Sequence, residues 1–300
     1  MEKLKGVYPP VITFFDQEGN VELENMKRHA DFLIEKGVDG LTFFGTTGEF
    51  SSLTLEEKKQ IIKELHRYIN GRVKIFVGVG DTCVNYTIDL IRFIEPLKID
   101  AVLLINPYYA VHSDEMVKNY ITTIALATSL KIIVYNFPDL TGYNISHEMM
   151  RELVQSNENI VGIKDTVKDF EHVCNMIALK SSFENFSVFC AFENQALGAL
   201  VNGVDGFINA TANFLPEFTI GTYQAYQKGN HQETEKWYQK MCQGMDFYNA
   251  SQPMYLACKQ GVYERLSVKK TGERVPAMPL KEQTVKYIQE KLKVLLDESR

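Results

Sequence analysis

A lysine follows directly on a strongly apolar run, where a charged side chain is uncommon. Residues 157–166 read NENIVGIKDT, so Ile160 to Ile163 lead straight into Lys164 and Asp165. Lysine is rarely buried unless it is paired or used. Burial among apolar groups favours the neutral form of a lysine amine, and that form attacks a ketone to give a Schiff base. The stretch indicates covalent catalysis by Lys164, with an ion pair to Asp165 or another acid as the alternative.

The preceding apolar run ends in a tyrosine. Residues 131–135 read KIIVY. If the two runs are neighbouring parallel strands, about 4.8 Å apart, Tyr135 comes close to Lys164, and its phenol can shuttle protons. Gly162 shares a face with Lys164, and we expect it to leave room for the lysine side chain. Taken alone, Tyr135 would more often be an interfacial aromatic residue without a chemical role.

Polar groups follow three further apolar runs. Residues 45–49 read GTTGE, a tight turn whose hydroxyl and backbone N–H groups suit a carboxylate. A plain turn without a ligand is the alternative. It lacks the G-K-[ST] sequence of a phosphate loop. Tyr108 and Tyr109 follow the fourth run, where packing or a subunit contact is the alternative to a role in the site. Small residues at 206–213 leave space for a ligand.

Eight β-rich apolar runs alternate with segments of helical periodicity, which predicts parallel strands joined by helical crossovers. In about 230 residues this pattern favours an α/β fold, a (β/α)8 TIM barrel with a C-terminal helical extension. We expect residues 1–229 to form the barrel and residues 230–300 to pack on it as helices. A doubly wound open sheet is the alternative, but no G-x-G-x-x-G follows the first run. Barrel sites lie at the carboxyl ends of the strands, as Lys164 and Tyr135 do.

Composition excludes several classes of function. A net charge of −6 argues against nucleic-acid binding, and no apolar run approaches the roughly 20 residues of a membrane span. The N-terminus shows no secretory signal. Five scattered cysteines without a C-x-x-C pair predict reduced thiols in the cytoplasm. The six histidines show no metal-binding spacing, so we expect no metal site.

Four motifs, in order along the chain, resemble the N-acetylneuraminate lyase and dihydrodipicolinate synthase superfamily of pyruvate-dependent class I aldolases. They are GTTGE after the second run, PYY after the fourth, YNFPDLTG from the fifth and GIKDT from the sixth. The resemblance extends from about Gly6 through the C-terminal helices. It implies that no cofactor is needed and that the chain forms a homotetramer, assembled as a dimer of dimers.

The resemblance also implies roles for the matching residues. Lys164 would form the Schiff base with pyruvate, and Tyr135 would transfer protons and hold the carboxylate of the keto acid. Thr47, with Gly48 beside it in the turn, would bind that carboxylate. Thr46 would lie in a proton relay with Tyr135.

Two tyrosines and an isoleucine complete the implied site. Tyr109 would join the relay from a neighbouring subunit, although Tyr108 could exchange places with it. Ile208 would contribute a backbone carbonyl near the pyruvate.

Departures from the family motifs narrow the substrate. Leu140 stands where the synthase has an arginine for the carboxylate of its aldehyde substrate. Sialic acid lyases typically carry a D-E pair where this chain has Phe192 and Glu193, so Glu193 alone would contact a hydroxyl group. The motifs most resemble 2-keto-3-deoxy sugar acid aldolases, which release pyruvate and an aldehyde. The synthase comes second and the sialic acid lyase third. A non-catalytic keto-acid-binding relative is the alternative of a different class, but such a protein would be expected to lose the lysine or the tyrosine.

Overall fold

The computed structural model describes residues 3–269 and 272–297, and each of the eight predicted strands is present. All are short, between two and six residues long. The strands are β1 (Gly6–Val7), β2 (Gly40–Phe43), β3 (Lys74–Gly78), β4 (Ala101–Ile105), β5 (Ile132–Asn136), β6 (Ile160–Asp165), β7 (Ser187–Cys190) and β8 (Gly206–Phe207).

The order of the strands confirms the predicted fold class. One eight-stranded sheet runs β1-β8-β7-β6-β5-β4-β3-β2, and the pairs from β3 to β8 are parallel. A doubly wound sheet would reverse its order at a switch point. Sequential order with helices between the strands is that of a (β/α)8 barrel.

Helices separate the strands and continue to the C-terminal part of the chain. They are α1 (Leu23–Lys36), α2 (Leu55–Ile69), α3 (Val84–Ile94), α4 (Asp114–Leu126), α5 (Pro138–Thr141), α6 (His147–Ser156), α7 (Phe170–Ala178), α8 (Ala196–Val201), α9 (Pro216–Gln227), α10 (His231–Gln243), α11 (Tyr255–Leu266) and α12 (Glu282–Asp297). Among the described residues, none of these helices is both long and apolar enough to cross a membrane.

Helix α2 illustrates how local sequence sets these elements. Thr54 accepts a hydrogen bond from the Glu57 backbone N–H, and the Glu57 carboxylate accepts one from the Thr54 backbone N–H, which closes a capping box. Ile61, Ile62 and Leu65 are buried. The cap and the apolar face together determine where the helix begins and which side it buries.

The first strand is shorter than its apolar run predicts. Residues 6–15 are apolar except for Thr13, yet β1 ends at Val7, and only an isolated parallel bridge from Pro10 to Thr42 continues the pairing. Pro9 and Pro10 have no backbone N–H to donate to a neighbouring strand, so the ladder stops there.

The chain divides into two compact units. The first unit comprises residues 1–6 and 74–208, and the second comprises residues 7–73 and 209–300. The predicted C-terminal helices are present as α10, α11 and α12 in the second unit. The proposed boundary between residues 229 and 230 stays a prediction.

A bulge interrupts the pairing of β5 with β6 in the first unit. Ile132 lies opposite Ile160, but Ile133 lies opposite Gly162, so Val161 has no opposite residue. The register is regular from there to the ends of both strands. A glycine beside a bulge is common, because the backbones approach closely there.

Candidate active site

The ends of β5 and β6 bring the predicted lysine and tyrosine together in the first unit. Tyr135 lies directly opposite Lys164 in the strand register. The Lys164 Nζ is 4.1 Å from the centroid of the Tyr135 ring, and each residue is 4% exposed. The proximity predicted from the strand ends is confirmed.

Lys164 does not make the ion pair that was its alternative interpretation. Within residues 3–269 and 272–297, no carboxylate lies within salt-bridge distance of its Nζ. Asp165, the nearest acid in sequence, is fully buried and bonded to other groups. A buried amine beside an aromatic face, with no carboxylate to hold its charge, is a suitable nucleophile for a ketone.

Asp165 is the centre of a hydrogen-bond network behind the lysine. Its carboxylate accepts a bond of 2.9 Å from the Asn136 amide and lies 2.8 Å from the His172 Nδ1. The His172 Nε2 lies 2.9 Å from the Ile145 carbonyl oxygen and must therefore donate to it. Asn136 also donates to Asn144 and accepts from the Ile145 N–H. The network joins the ends of β5 and β6 to α7, which fixes the two strand ends that carry the tyrosine and the lysine.

The charge on Asp165 changes the titration of His172. Burial lowers the pKa of His172. The hydrogen bond to Asp165 and the negative charge of Asp165 together raise it by more than burial lowers it, so the net shift is upward from 6.5. Both ring nitrogens face acceptors, so the imidazolium form satisfies the site. The Asp165 carboxylate therefore has a hydrogen-bonding partner other than Lys164.

Gly162 is needed for a reason that the sequence does not suggest. A Cβ at this position would lie 2.5 Å from the backbone carbonyl oxygen of Ser187 on β7. The structure thus gives a reason of its own for the glycine, and the expectation that Gly162 makes room for the lysine stays a prediction. The glycine allows β6 and β7 to approach each other beside the bulge.

The two tyrosines after β4 have opposite environments. Tyr108 is partly buried, and burial followed by the nearby negative charge of Asp81 raises its pKa. Tyr109 is 99% exposed and adopts a left-handed backbone conformation with φ of 76°. Only Tyr108 is therefore turned toward its own unit.

The other predicted substrate-binding residues of the first unit follow the ends of β5, β7 and β8. Leu140 lies on α5 and is 56% exposed. Glu193 is buried in a short 3₁₀ turn after Cys190, the last residue of β7. Ile208 is buried directly after β8, and its backbone N–H donates to the Cys190 carbonyl oxygen.

The second unit carries the threonine turn, which contains the predicted Thr46, Thr47 and Gly48. Thr47 is buried. In the part of the chain that the structure describes, neither its hydroxyl nor its backbone N–H makes a hydrogen bond. Two unbonded donors on a residue that is otherwise largely buried suit an anionic ligand. A Cβ on Gly48 would lie 2.6 Å from the Val11 carbonyl oxygen, so only glycine fits there.

Sequence reasoning missed His172 and the role of Asn136. Polar residues at the ends of two adjacent strands, Asn136 and Asp165, were a usable signal, because paired strands bring their ends together. His172 has no comparable signal, since its contact depends on how the first turn of α7 returns toward β6.

A family model and several known proteins match most of this chain. The model of the dihydrodipicolinate synthetase family matches residues 3–295. YjhH of Escherichia coli K12, provisionally named a 2-dehydro-3-deoxy-D-pentonate aldolase, is 39% identical over 77% of each chain. A 4-hydroxy-tetrahydrodipicolinate synthase of Methanococcus aeolicus is 30% identical over 79% of this chain and 81% of its own.

A solved structure matches nearly the whole fold. YagE of E. coli K12, crystallised in complex with pyruvate, superposes with a TM-score of 0.93 at 30% identity, covering 98% of this chain and 99% of YagE. YagE is provisionally named a 2-dehydro-3-deoxy-D-gluconate aldolase.

Proposed function

This chain belongs to the dihydrodipicolinate synthetase family of lyases and aldolases, and we propose that it cleaves a 2-keto-3-deoxy sugar acid to pyruvate and an aldehyde through a Schiff base on Lys164. The observation that carries the proposal is the buried Lys164 amine against the Tyr135 ring, with no carboxylate partner in the described residues. The pyruvate bound to YagE supports the same substrate class.

The proposed reaction begins at the C2 ketone. The neutral Lys164 amine adds to C2, and loss of water gives a protonated imine. When the C4 hydroxyl loses its proton, the C3–C4 bond breaks, the aldehyde leaves, and the bonding electrons pass through C3 to the imine nitrogen. Protonation of the resulting enamine at C3 and addition of water release pyruvate and restore the amine.

The phenol of Tyr135 is the proposed proton carrier for these steps, because it lies against the amine that becomes the imine. Thr47, with Gly48 beside it, is proposed to bind the C1 carboxylate, in keeping with its two unbonded donors. Such binding would orient the ketone for attack.

The remaining assignments rest on the family resemblance. Thr46 is proposed to relay protons with Tyr135, and Ile208 to offer its carbonyl to the bound keto acid. Tyr109 is proposed to enter the relay of a neighbouring subunit in a dimer of dimers. Its nearly complete exposure in the single chain supports that role.

The choice of a sugar acid depends on Leu140 and Glu193. Leu140 offers no charge to a second carboxylate such as that of aspartate semialdehyde. Glu193 can accept hydrogen bonds from hydroxyl groups of a sugar chain. The names of YjhH and YagE favour the same class. The synthase reaction is the second candidate, favoured by the M. aeolicus relative.

Borohydride reduction with and without pyruvate, followed by peptide mapping, tests the proposal. We expect a reduced pyruvyl adduct on the peptide that contains Lys164. Turnover assays with 2-keto-3-deoxygluconate, its galactonate epimer, N-acetylneuraminate and aspartate semialdehyde then identify the substrate. An adduct spread over surface lysines, or none, would favour a non-catalytic keto-acid-binding relative.

A further inference from the structure

The threonine turn is bounded by two residues in an unfavourable backbone conformation. Phe44 has φ of 59° and Glu49 has φ of 56°, both in the left-handed region that favours glycine. Such residues are energetically unfavourable and persist only where the surroundings enforce them. Something in the second unit must therefore hold Glu49 in place.

Helix α11 supplies the group that holds it. The Nζ of Lys259 lies 2.5 Å from the Glu49 carboxylate and 2.9 Å from the Glu273 carboxylate. Lys259 is completely buried, and its Nζ also lies 5.0 Å from the centroid of the Phe15 ring. The helix thus places a cation directly against the last residue of the threonine turn.

The cluster is strong enough to restrain the turn. Glu49 and Glu273 are both buried, so the loss of Lys259 would leave two carboxylates without their common partner. Breaking a buried ion pair in this way is strongly destabilising. Within the turn, the Glu49 N–H donates to the Thr46 carbonyl oxygen at 3.0 Å, so a displacement of Glu49 is passed to Thr46 and its neighbour Thr47.

We propose that Lys259 and Glu49 are positioning residues that hold the threonine turn in its carboxylate-binding conformation. The proposal rests on the proposed function, since it assumes that Thr47 binds the keto acid. It gives the C-terminal helix α11 a part in substrate affinity, although α11 carries no group that reacts.

The test compares Glu49→Gln with the wild type in two measurements. Glu49→Gln keeps the shape of the side chain and leaves Lys259 paired with Glu273, so the variant is expected to fold. Hydrogen exchange of the peptide covering residues 44–50 should accelerate about tenfold or more. The pyruvate concentration for half-maximal borohydride trapping should rise about tenfold to a hundredfold, as for a ligand-binding group displaced by about 1 Å. The adduct formed at saturating pyruvate should stay on Lys164.

Lys240→Met is the matched control, because Lys240 is also a buried lysine of the second unit but lies against Trp237 on α10. It should leave both measurements unchanged. Lys259→Arg, which keeps the charge, should recover more of the pyruvate affinity than Lys259→Met.

The outcomes distinguish positioning of the threonine turn from a role in stability alone. Unchanged exchange in Glu49→Gln would overturn the proposal, whatever the trapping shows. Faster exchange with unchanged half-maximal pyruvate would also overturn it, because the cluster would then serve stability alone. If the wild type formed no adduct, the proposed function would fail, and the exchange measurement would still judge whether the cluster positions the turn.

Discussion

Two buried lysines in this chain have the same side chain and opposite surroundings. Lys164 ends β6 in the first unit, with the Tyr135 ring against its amine and no carboxylate in reach within the described residues. Lys259 lies on α11 in the second unit, between the carboxylates of Glu49 and Glu273. Exposure alone does not separate them, since both are buried.

The difference teaches that the partner, and not burial, decides what a buried lysine does. At Lys259 two carboxylates lie within ion-pair distance of the amine, so the side chain is engaged in structural contacts. At Lys164 the nearest acid, Asp165, is already bonded to His172 and Asn136. The network thereby keeps a carboxylate close in sequence from becoming a counter-ion to the amine.

The largest expected effect is on catalysis through Lys164. Lys164→Ala should reduce turnover to the uncatalysed level and abolish the borohydride adduct, because the nucleophile is gone. Steady-state assays and peptide mapping measure both. Turnover like that of the wild type would remove the proposed mechanism.

Removal of the neighbouring phenol should separate binding from chemistry. Tyr135→Phe keeps the ring against the amine but loses the proton carrier, so turnover should fall by about 10²- to 10⁴-fold. Trapping of pyruvate on Lys164 should persist. Equal loss of trapping and turnover would instead assign Tyr135 a role in binding.

Replacing each of the two buried lysines with methionine should change the free energy of unfolding by different amounts. Lys259→Met should lower the free energy of unfolding by roughly 3–5 kcal/mol, because it strands buried carboxylates. Lys164→Met leaves no buried carboxylate without a partner and should change the free energy of unfolding by about 1 kcal/mol or less. Denaturant unfolding of both variants tests the contrast, and equal losses would refute it.

The buried His29 and the partly buried His172 extend the comparison to pH. Burial lowers the pKa of His29 to about 4, whereas Asp165 raises that of His172. His29 therefore stabilises the fold above pH 6.5, and roughly 3 kcal/mol is lost as the pH falls from 6.5 to 4. His172 contributes below pH 6.5, and its contribution is lost as the pH rises through its elevated pKa.

Unfolding free energies measured across this pH range should separate the two histidines. His29→Met should flatten the acidic side of the profile, and His172→Gln should flatten the side above pH 6.5. Identical profiles for the two variants would contradict the opposite shifts.

The smallest effect is expected at an exposed lysine. Lys168 is 80% exposed and pairs with Asp139 at 2.7 Å. Exposed pairs contribute about 0–1 kcal/mol, so Lys168→Ala should scarcely change stability. A loss of unfolding free energy as large as that of Lys259→Met would contradict the small contribution expected of an exposed ion pair.

The sequence predicts most of the fold because each strand and helix carries its own local signal. Apolar runs place all eight strands, and the capping box of Thr54 and Glu57 marks the start of α2. The contact of Tyr135 with Lys164 is also predictable, because ends of neighbouring strands must meet.

Features that depend on distant segments escape such reasoning. Nothing in KIIVYN or NIVGIKD indicates the bulge at Val161, since both runs are apolar on both faces. The contact of Lys259 with Glu49 joins residues far apart in the chain. The sequence around Lys259, LACKQGV, resembles an ordinary helix with two polar positions. The need for glycine at position 162 is equally hidden from the local sequence, because it arises from the close approach of the β7 backbone.

The bulge makes β6 tolerant of insertions and deletions on one side only. Loss of Val161 would leave the register intact, because Ile160 and Gly162 already face consecutive residues of β5. Loss of Ile163 would shift every later residue by one place and turn the amine to the opposite face of the sheet. The chain can therefore lose one residue before Gly162, whereas the spacing from Gly162 to Lys164 must be kept for the amine to meet its phenol.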